Sequence, residues 1–387
     1  MSVFDQLVGQ DRVVATLRRA ATLPASMTHS WLFTGPPGSG RSVAARAFAA
    51  ALQCERRDDP GCGQCGACHT VLVGSHPDVT VLSTSETFIR VDRARELALA
   101  AAGRPTAGRW RIIVIEDADR LNEQAADALL KTLEEPPPRT VWLLCAPTLD
   151  DLIVTVRSRC RHVRLGTPPV DAVADLLIRR DGIEPSMAHY AARAAQSHVG
   201  IARRLATDEL ARARRRRVTG IPLSLTSLGA ALAAAAEIVE EATEGAQAVS
   251  GDDAAAARAE VLRQLGADPS ARTQPPAVRA HLKQLDDDQK RVARRRQHDT
   301  IDAALTDLAS VYRDALVLGS GVEAVNATEA EQITQLARAF GPDELLRALE
   351  TINLARQRLI ANGAPLLVIE AMMVGLILPR ARSGARG

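Results

Sequence analysis

The chain has 387 residues, enough for roughly two or three domains, and its 46% apolar and 24% charged side chains are an ordinary globular composition. Its 48 basic and 46 acidic side chains leave a formal charge of +2, too small an excess for a free-standing nucleic-acid binder, so any role on DNA must be local or shared with partners. No apolar run reaches the roughly 18 residues of a membrane span, since Glu370 interrupts the best candidate at 365–378, and MSVFDQLVGQDR has no secretory character. A cytoplasmic protein without membrane contact is expected.

Residues 1–166 alternate short apolar runs with helical patterns, which predicts a parallel sheet flanked by helices. Strands are expected at 31–34, 79–82, 110–115, 141–146 and 162–165, most of them apolar throughout, as in strands covered on both faces. The first runs into Gly35-Pro36-Pro37-Gly38-Ser39-Gly40-Arg41-Ser42 and a helix over 43–52. Glycines there let the backbone curl so that successive N–H groups and a helix N-terminus face phosphate oxygens. The spacing is that of G-x-x-x-x-G-K-[ST] except that Arg41 replaces lysine, and a planar guanidinium does not fill the slot of a compact ammonium. Such a nest can hold ATP or ADP, but hydrolysis is not expected; a ligand-free strand-to-helix turn is the alternative.

Four of the six cysteines follow as Cys54-x7-Cys62-x2-Cys65-x2-Cys68. Reducing cytosol disfavours disulfides, and four thiolates spaced by Gly61, Gly63 and Gly66 suit a closed, structural zinc site. An iron–sulfur cluster or unligated thiols are the alternatives. Cys145 and Cys160 read as ordinary buried thiols. The third strand ends in Glu116-Asp117, expected at the end of a strand neighbouring the first. An active ATPase has the acids in the order Asp-Glu for Mg²⁺ and the attacking water, and inversion shifts both carboxylates by about one methylene. A run of acids near a helix N-terminus is the alternative. Asn122 is expected to cap a helix with the stripe Leu121, Ala125, Leu129 and Leu133, ended by Pro136, Pro137 and Pro138. Beyond Thr167 the strand signals stop. Residues 170–208 read as a small helical unit and 209–387 as long helices, interrupted near 266–276 and 319–321. The charge runs at 212–217 and 290–296 read as solvated helix faces, with a phosphate-facing stripe as the alternative.

Val8-Gly9-Gln10, His29-Ser30-Trp31-Leu32-Phe33-Thr34-Gly35, the cysteine cluster, Leu129-Leu130-Lys131-Thr132-Leu133-Glu134-Glu135-Pro136-Pro137 and Ser158-Arg159-Cys160 together resemble the bacterial DNA polymerase III clamp-loader subunits of the AAA+ ATPases. The resemblance covers residues 1 to about 210 closely and is architectural beyond. It implies an α/β P-loop (AAA+) parallel-sheet core at 1–166 with a zinc module inserted at about 54–68, a helical lid at 167–208 and an all-α collar at 209–387. Within the family, ATP-hydrolysing gamma/tau subunits keep the loop lysine, the Asp-Glu pair and a sensor threonine after the fourth strand. This chain has Arg41, Glu116-Asp117 and Cys145-Ala146-Pro147 there, and Ser75-His76-Pro77-Asp78 is similar to a delta-prime stretch, so the delta-prime type is expected and gamma/tau is the alternative. The resemblance further implies that Arg159 serves as an arginine finger in trans, that Arg203 is a second sensor beside the degenerate nucleotide site, with Arg204 and Arg193 as alternatives, and that gamma/tau and delta subunits, a sliding clamp and primed DNA are partners in a hetero-oligomer.

Overall fold

The five expected strands form within one residue of the expected bounds: β1 Ser30–Thr34, β2 Val79–Leu82, β3 Arg111–Ile115, β4 Thr140–Ala146 and β5 Arg161–Arg164. The computed structural model describes residues 2–84, 88–264, 275–322 and 324–377; most of the interruption expected at 266–276, and the end of the apolar run at 378, lie outside them. All pairings are parallel, in the order β2-β3-β4-β1-β5. The strand carrying Glu116-Asp117 is therefore not next to β1, as expected, but one removed, because β4 is inserted between them.

Period-two alternation sends Phe33, Ile112, Val114 and Leu143 to one face and Leu32, Ile113, Ile115 and Leu144 to the other. Helices α1 Asp11–Thr22 and α2 Arg41–Gln53 cover the first face, with the short α3 Gly66–Leu72 beside α2. On the second face lie α4 Val91–Ala102 and α5 Glu123–Glu134. Full burial on both faces holds for β1 and β4 but not at the margins, where β5 exposes Arg161, His162 and Arg164. Charged side chains on an edge strand discourage pairing with another chain. Asn122 caps α5 as expected, its Oδ1 accepting the Ala125 N–H at 2.8 Å.

The fully buried Asp78 fastens the turn before β3, accepting N–H bonds from Thr106 (2.8 Å), Ala107 (2.7 Å) and Gly108 (2.6 Å) and the Thr106 hydroxyl (3.0 Å). Burial pushes its carboxyl up, yet these donors outweigh burial and hold it at about 2. A carboxyl lowered in the fold adds stability that is present above the unfolded value near 3.8 and is lost as pH falls through the folded value. Acid should therefore remove about 2 kcal/mol from this unit between pH 4 and pH 2. Asp78→Ala should cost about 3 kcal/mol at neutral pH by stranding buried donors, read by urea denaturation.

After the one-turn α6 Val154–Arg157 and β5 come three packed helices, α7 Val170–Asp181, α8 Pro185–Ala194 and α9 Val199–Thr207. The chain divides into two compact units, Met1–Thr207 and Asp208–Gly387.

Among the described residues of the second unit every element is helical: α10 Glu209–Ser224, α11 Leu228–Gln264, α12 Pro276–Leu316, α13 Ala330–Ala339, α14 Pro342–Ile360 and α15 Pro365–Gly375, with one 3₁₀ turn at Ala327–Glu329. Thr243 meets Gln297 (2.7 Å) and Leu262 clusters with Val278, so α11 and α12 run antiparallel. Tyr312 meets Phe340 edge-on in the core. The basic run at 212–217 is a partnered helix face: Arg212 and Arg216 bind Glu209, Arg214 and Arg217 bind Glu241, and the buried Arg215 binds Asp307 and Asn326. Those carboxylates speak against a phosphate-facing stripe, but the burial of Arg215 and the partial cover of Arg212 and Arg214 correct the expectation that the whole run is solvated. Helix α15 is apolar except for the half-buried Glu370; Val368, Ile369, Met372 and Met373 are buried while Leu366, Leu367 and Val374 are exposed.

Candidate functional site

The loop between β1 and α2 has the expected strand–turn–helix setting. Gly38 and Gly40 take left-handed φ values of 83° and 89°, open to glycine at little cost. Gly40 caps α2 and brings no side-chain acceptor to the first helical N–H groups. Ser39 is buried beneath the loop and Ser42 lies in the first turn of α2. Arg41 folds back across the loop, its Nη1 donating to the Gly35 carbonyl at 2.9 Å.

Both carboxylates after β3 are engaged inside the chain. Arg46 Nε, from α2, donates to Glu116 Oε1 at 2.6 Å, and Asp117 Oδ2 accepts the Thr84 N–H at 3.0 Å. A divalent cation would have to compete with both contacts. Arg203 is largely exposed and pairs with Asp181 at 3.3 Å. It is His198, just before α9, that brings the three-helix unit onto the loop: a Cβ on Gly38 would lie 2.6 Å from His198 Cγ. Burial, and then the Arg41 charge, hold the His198 imidazole below its ordinary value. Gln10 ties the entry to this unit, exchanging hydrogen bonds with the Gly166 backbone at 2.7 and 3.2 Å.

Arg159 follows α6 and is about one-third exposed. Its guanidinium pairs with Glu134, the last residue of α5, and donates to the Thr155 carbonyl at 2.6 Å. Arg159 and Glu134 line, with His29, Leu133 and Ser158, an open pocket of about 430 Å³. His29 Nε2 donates to the Leu133 carbonyl at 2.9 Å, so motifs about 100 residues apart in sequence meet at one place. A carboxylate in the last turn of a helix opposes the macrodipole, which makes Arg159 the natural counter-charge of Glu134.

The four cysteine sulfurs of 54, 62, 65 and 68 lie within 4.8 Å of one another, with Cys54 and Cys65 at 3.9 Å. Those separations exceed a disulfide and suit thiolates around a tetrahedral ion with bonds of about 2.3 Å. Backbone N–H groups of Gln64 and Cys68 point at Cys62 (3.5 Å) and Cys65 (3.4 Å), and the Gln64 N–H is the main cause that lowers the Cys62 thiol to about 6. The donor set therefore fits a metal ion such as zinc. Cys145 is buried in β4, and burial pushes its thiol well above the ordinary range; Cys160 is pushed up to about 12 by burial.

Sequence reasoning missed Arg46, Glu134 and His198. Arg46 lies on the helix after the loop and Glu134 inside a recognised motif, but no spacing announces His198, whose role depends on how α8 and α9 pack.

A five-stranded parallel sheet with a glycine-rich phosphate-type loop after β1, followed by helices, places the chain in the P-loop AAA+ fold class. Residues 9–169 match the family described as DNA polymerase III, delta subunit. The chain is 37% identical to the delta-prime subunit of DNA polymerase III of Pseudomonas aeruginosa over 42% of its own length and 51% of that protein's. It is 34% identical to the tau subunit of Bacillus subtilis over 41% of its length and 28% of that protein's. A solved gamma subunit-related protein of Thermotoga maritima overlaps 95% of the chain and 98% of its own, at 14% identity and a TM-score of 0.39. The chain thus spans about half the length of the first curated relative, and its N-terminal unit is related to DNA polymerase III subunits of both the delta-prime and gamma/tau kinds. The resemblance read from the motifs is supported by these relatives.

Proposed function

We propose that the chain is a delta-prime-type subunit of the DNA polymerase III clamp loader. It acts as a partner that hydrolyses little or no ATP, helps gamma/tau and delta subunits place a sliding clamp on primed DNA, and supplies Arg159 to a neighbour's nucleotide. Residues 167–208 serve as the lid and 209–387 as the collar, and zinc on Cys54, Cys62, Cys65 and Cys68 is structural. The observation that carries this reading is the state of the nucleotide site. Arg41 is spent on Gly35, and Glu116 and Asp117 are engaged by Arg46 and Thr84, while Arg159, paired with the half-exposed Glu134, lines an open pocket. The apolar outer face of α15, with Leu366, Leu367 and Val374 exposed, supports a collar that packs against other subunits.

Similarity to tau and gamma/tau subunits of other bacteria favours a second reading, an ATP-hydrolysing loader subunit. One experiment separates them. The purified chain is mixed with gamma/tau and delta subunits and passed over a sizing column, and ATP turnover is measured with the chain alone and with the complex. Co-elution without turnover by the chain alone is expected. Turnover by the chain alone, abolished by Ser42→Ala, would establish the second reading, and failure to co-elute would remove both.

A further inference from the structure

We propose that His198 is the residue that bars nucleotide from the loop: it lies across Gly38 and, with Arg41 folded onto Gly35, closes the face that phosphates must reach. This deepens the reading of 35–42 as a phosphate loop and rests on it. The contact is intimate. A Cβ on Gly38 would lie 2.6 Å from His198 Cγ and 2.8 Å from both its Cα and Cβ, so backbone and ring alike are laid on the glycine. Phosphates bind such loops by approaching the backbone N–H groups as closely as glycine permits. Here His198 already makes the close approach at Gly38.

The placement is built into the chain. Gln196 and Ser197, neither of them glycine, adopt left-handed φ values of 49° and 65° immediately before His198, a conformation that persists only where the surroundings impose it. They are held there by the Ala192 and Arg193 carbonyls, each accepting an N–H at 2.9 Å. His198 then caps α9, its carbonyl accepting the Ala202 N–H at 2.8 Å and its Nδ1 the Ile201 N–H at 3.3 Å. Nδ1 accepts only while it carries no proton, so the ring is neutral with its hydrogen on Nε2. The cap fixes the imidazole on the side of α9 that faces Gly38, so moving the ring off the loop also breaks the helix cap. Arg41 completes the closure from the opposite end of the loop. A compact lysine ammonium could move to meet a phosphate, whereas the fork on Gly35 is planar and already bonded.

The test separates the ring from the cap. Serine keeps an N-cap acceptor and removes the imidazole, so His198→Ser is combined with Arg41→Lys and compared with Arg41→Lys alone, using a fluorescent ADP analogue on the full chain. The double variant is expected to bind at least about tenfold tighter than Arg41→Lys alone, with unchanged circular dichroism and metal content. Equal affinity of the two would overturn the role of His198 while leaving the phosphate loop standing. No binding by either would remove the phosphate-loop reading together with it. Should the double variant fail to fold, the wild-type chain decides. ADP binding by it in the micromolar range overturns the closure, and no detectable binding up to about 1 mM is the expected result.

Discussion

Replacing Arg159 by alanine is expected to lower ATP turnover at the adjoining site of the assembled loader by about 10³-fold, with assembly and KM nearly unchanged. Charge develops on the transferred phosphoryl, and a guanidinium placed against it acts only in the transition state, so the loss belongs in kcat. The fold should tolerate the change. The Arg159–Glu134 pair is partly exposed, and such pairs contribute about 0–1 kcal/mol. Arg159→Lys should recover little, because one ammonium cannot reproduce the two-pronged contact. Single-turnover hydrolysis in complexes carrying one variant subunit makes the measurement. A rate equal to wild type would exclude a finger role for Arg159, whatever the chain's other partners.

The second large effect belongs to the cysteine cluster. Cys62→Ser should release the metal and unfold its surroundings, since structural zinc sites in small modules contribute on the order of 10 kcal/mol of apparent binding. The damage should spread, because the cluster is a joint. The Gly61 carbonyl accepts the Val3 N–H at 2.9 Å and the Ser2 hydroxyl at 3.1 Å, and the buried Cys68 sulfur lies 3.6 Å from the Ala50 carbonyl oxygen of α2. Loss of the ion would loosen the N-terminal segment and the helix that leaves the phosphate loop. Metal analysis and thermal unfolding check this, and a strong chelator should reproduce it in the wild-type chain. A variant that keeps about one metal per chain would show that the ligand set is wrong.

Sheet and loop were legible because both rest on local signals. Apolar runs of four to six residues bounded by turn residues set β1 to β5 within a residue, and Asn122 with the following apolar stripe set α5. Strand order was not legible. Which strand lies between β1 and β3 depends on crossover packing, and the apolar run that became β4 looks like any other buried strand. Edge positions escaped for the same reason: 162–165 reads as a strand, but that Arg161, His162 and Arg164 face solvent follows only once β5 is seen to pair with β1 at the margin of the sheet.

For the candidate site the division is sharper. Residue identity alone determined that Arg41 stands where lysine is expected, that the acids are inverted, and that four cysteines occur within 15 residues. Those facts follow from side-chain chemistry and close spacing along one chain. Tertiary structure decided what each group does with its charge: Arg41 turns to Gly35, Glu116 to Arg46, Arg203 to Asp181 and Arg159 to Glu134. It also brought His198 to Gly38 across 160 residues of chain. An ionic or steric partner is chosen by distance in space, and only the packing of α8 and α9 against the loop sets that distance.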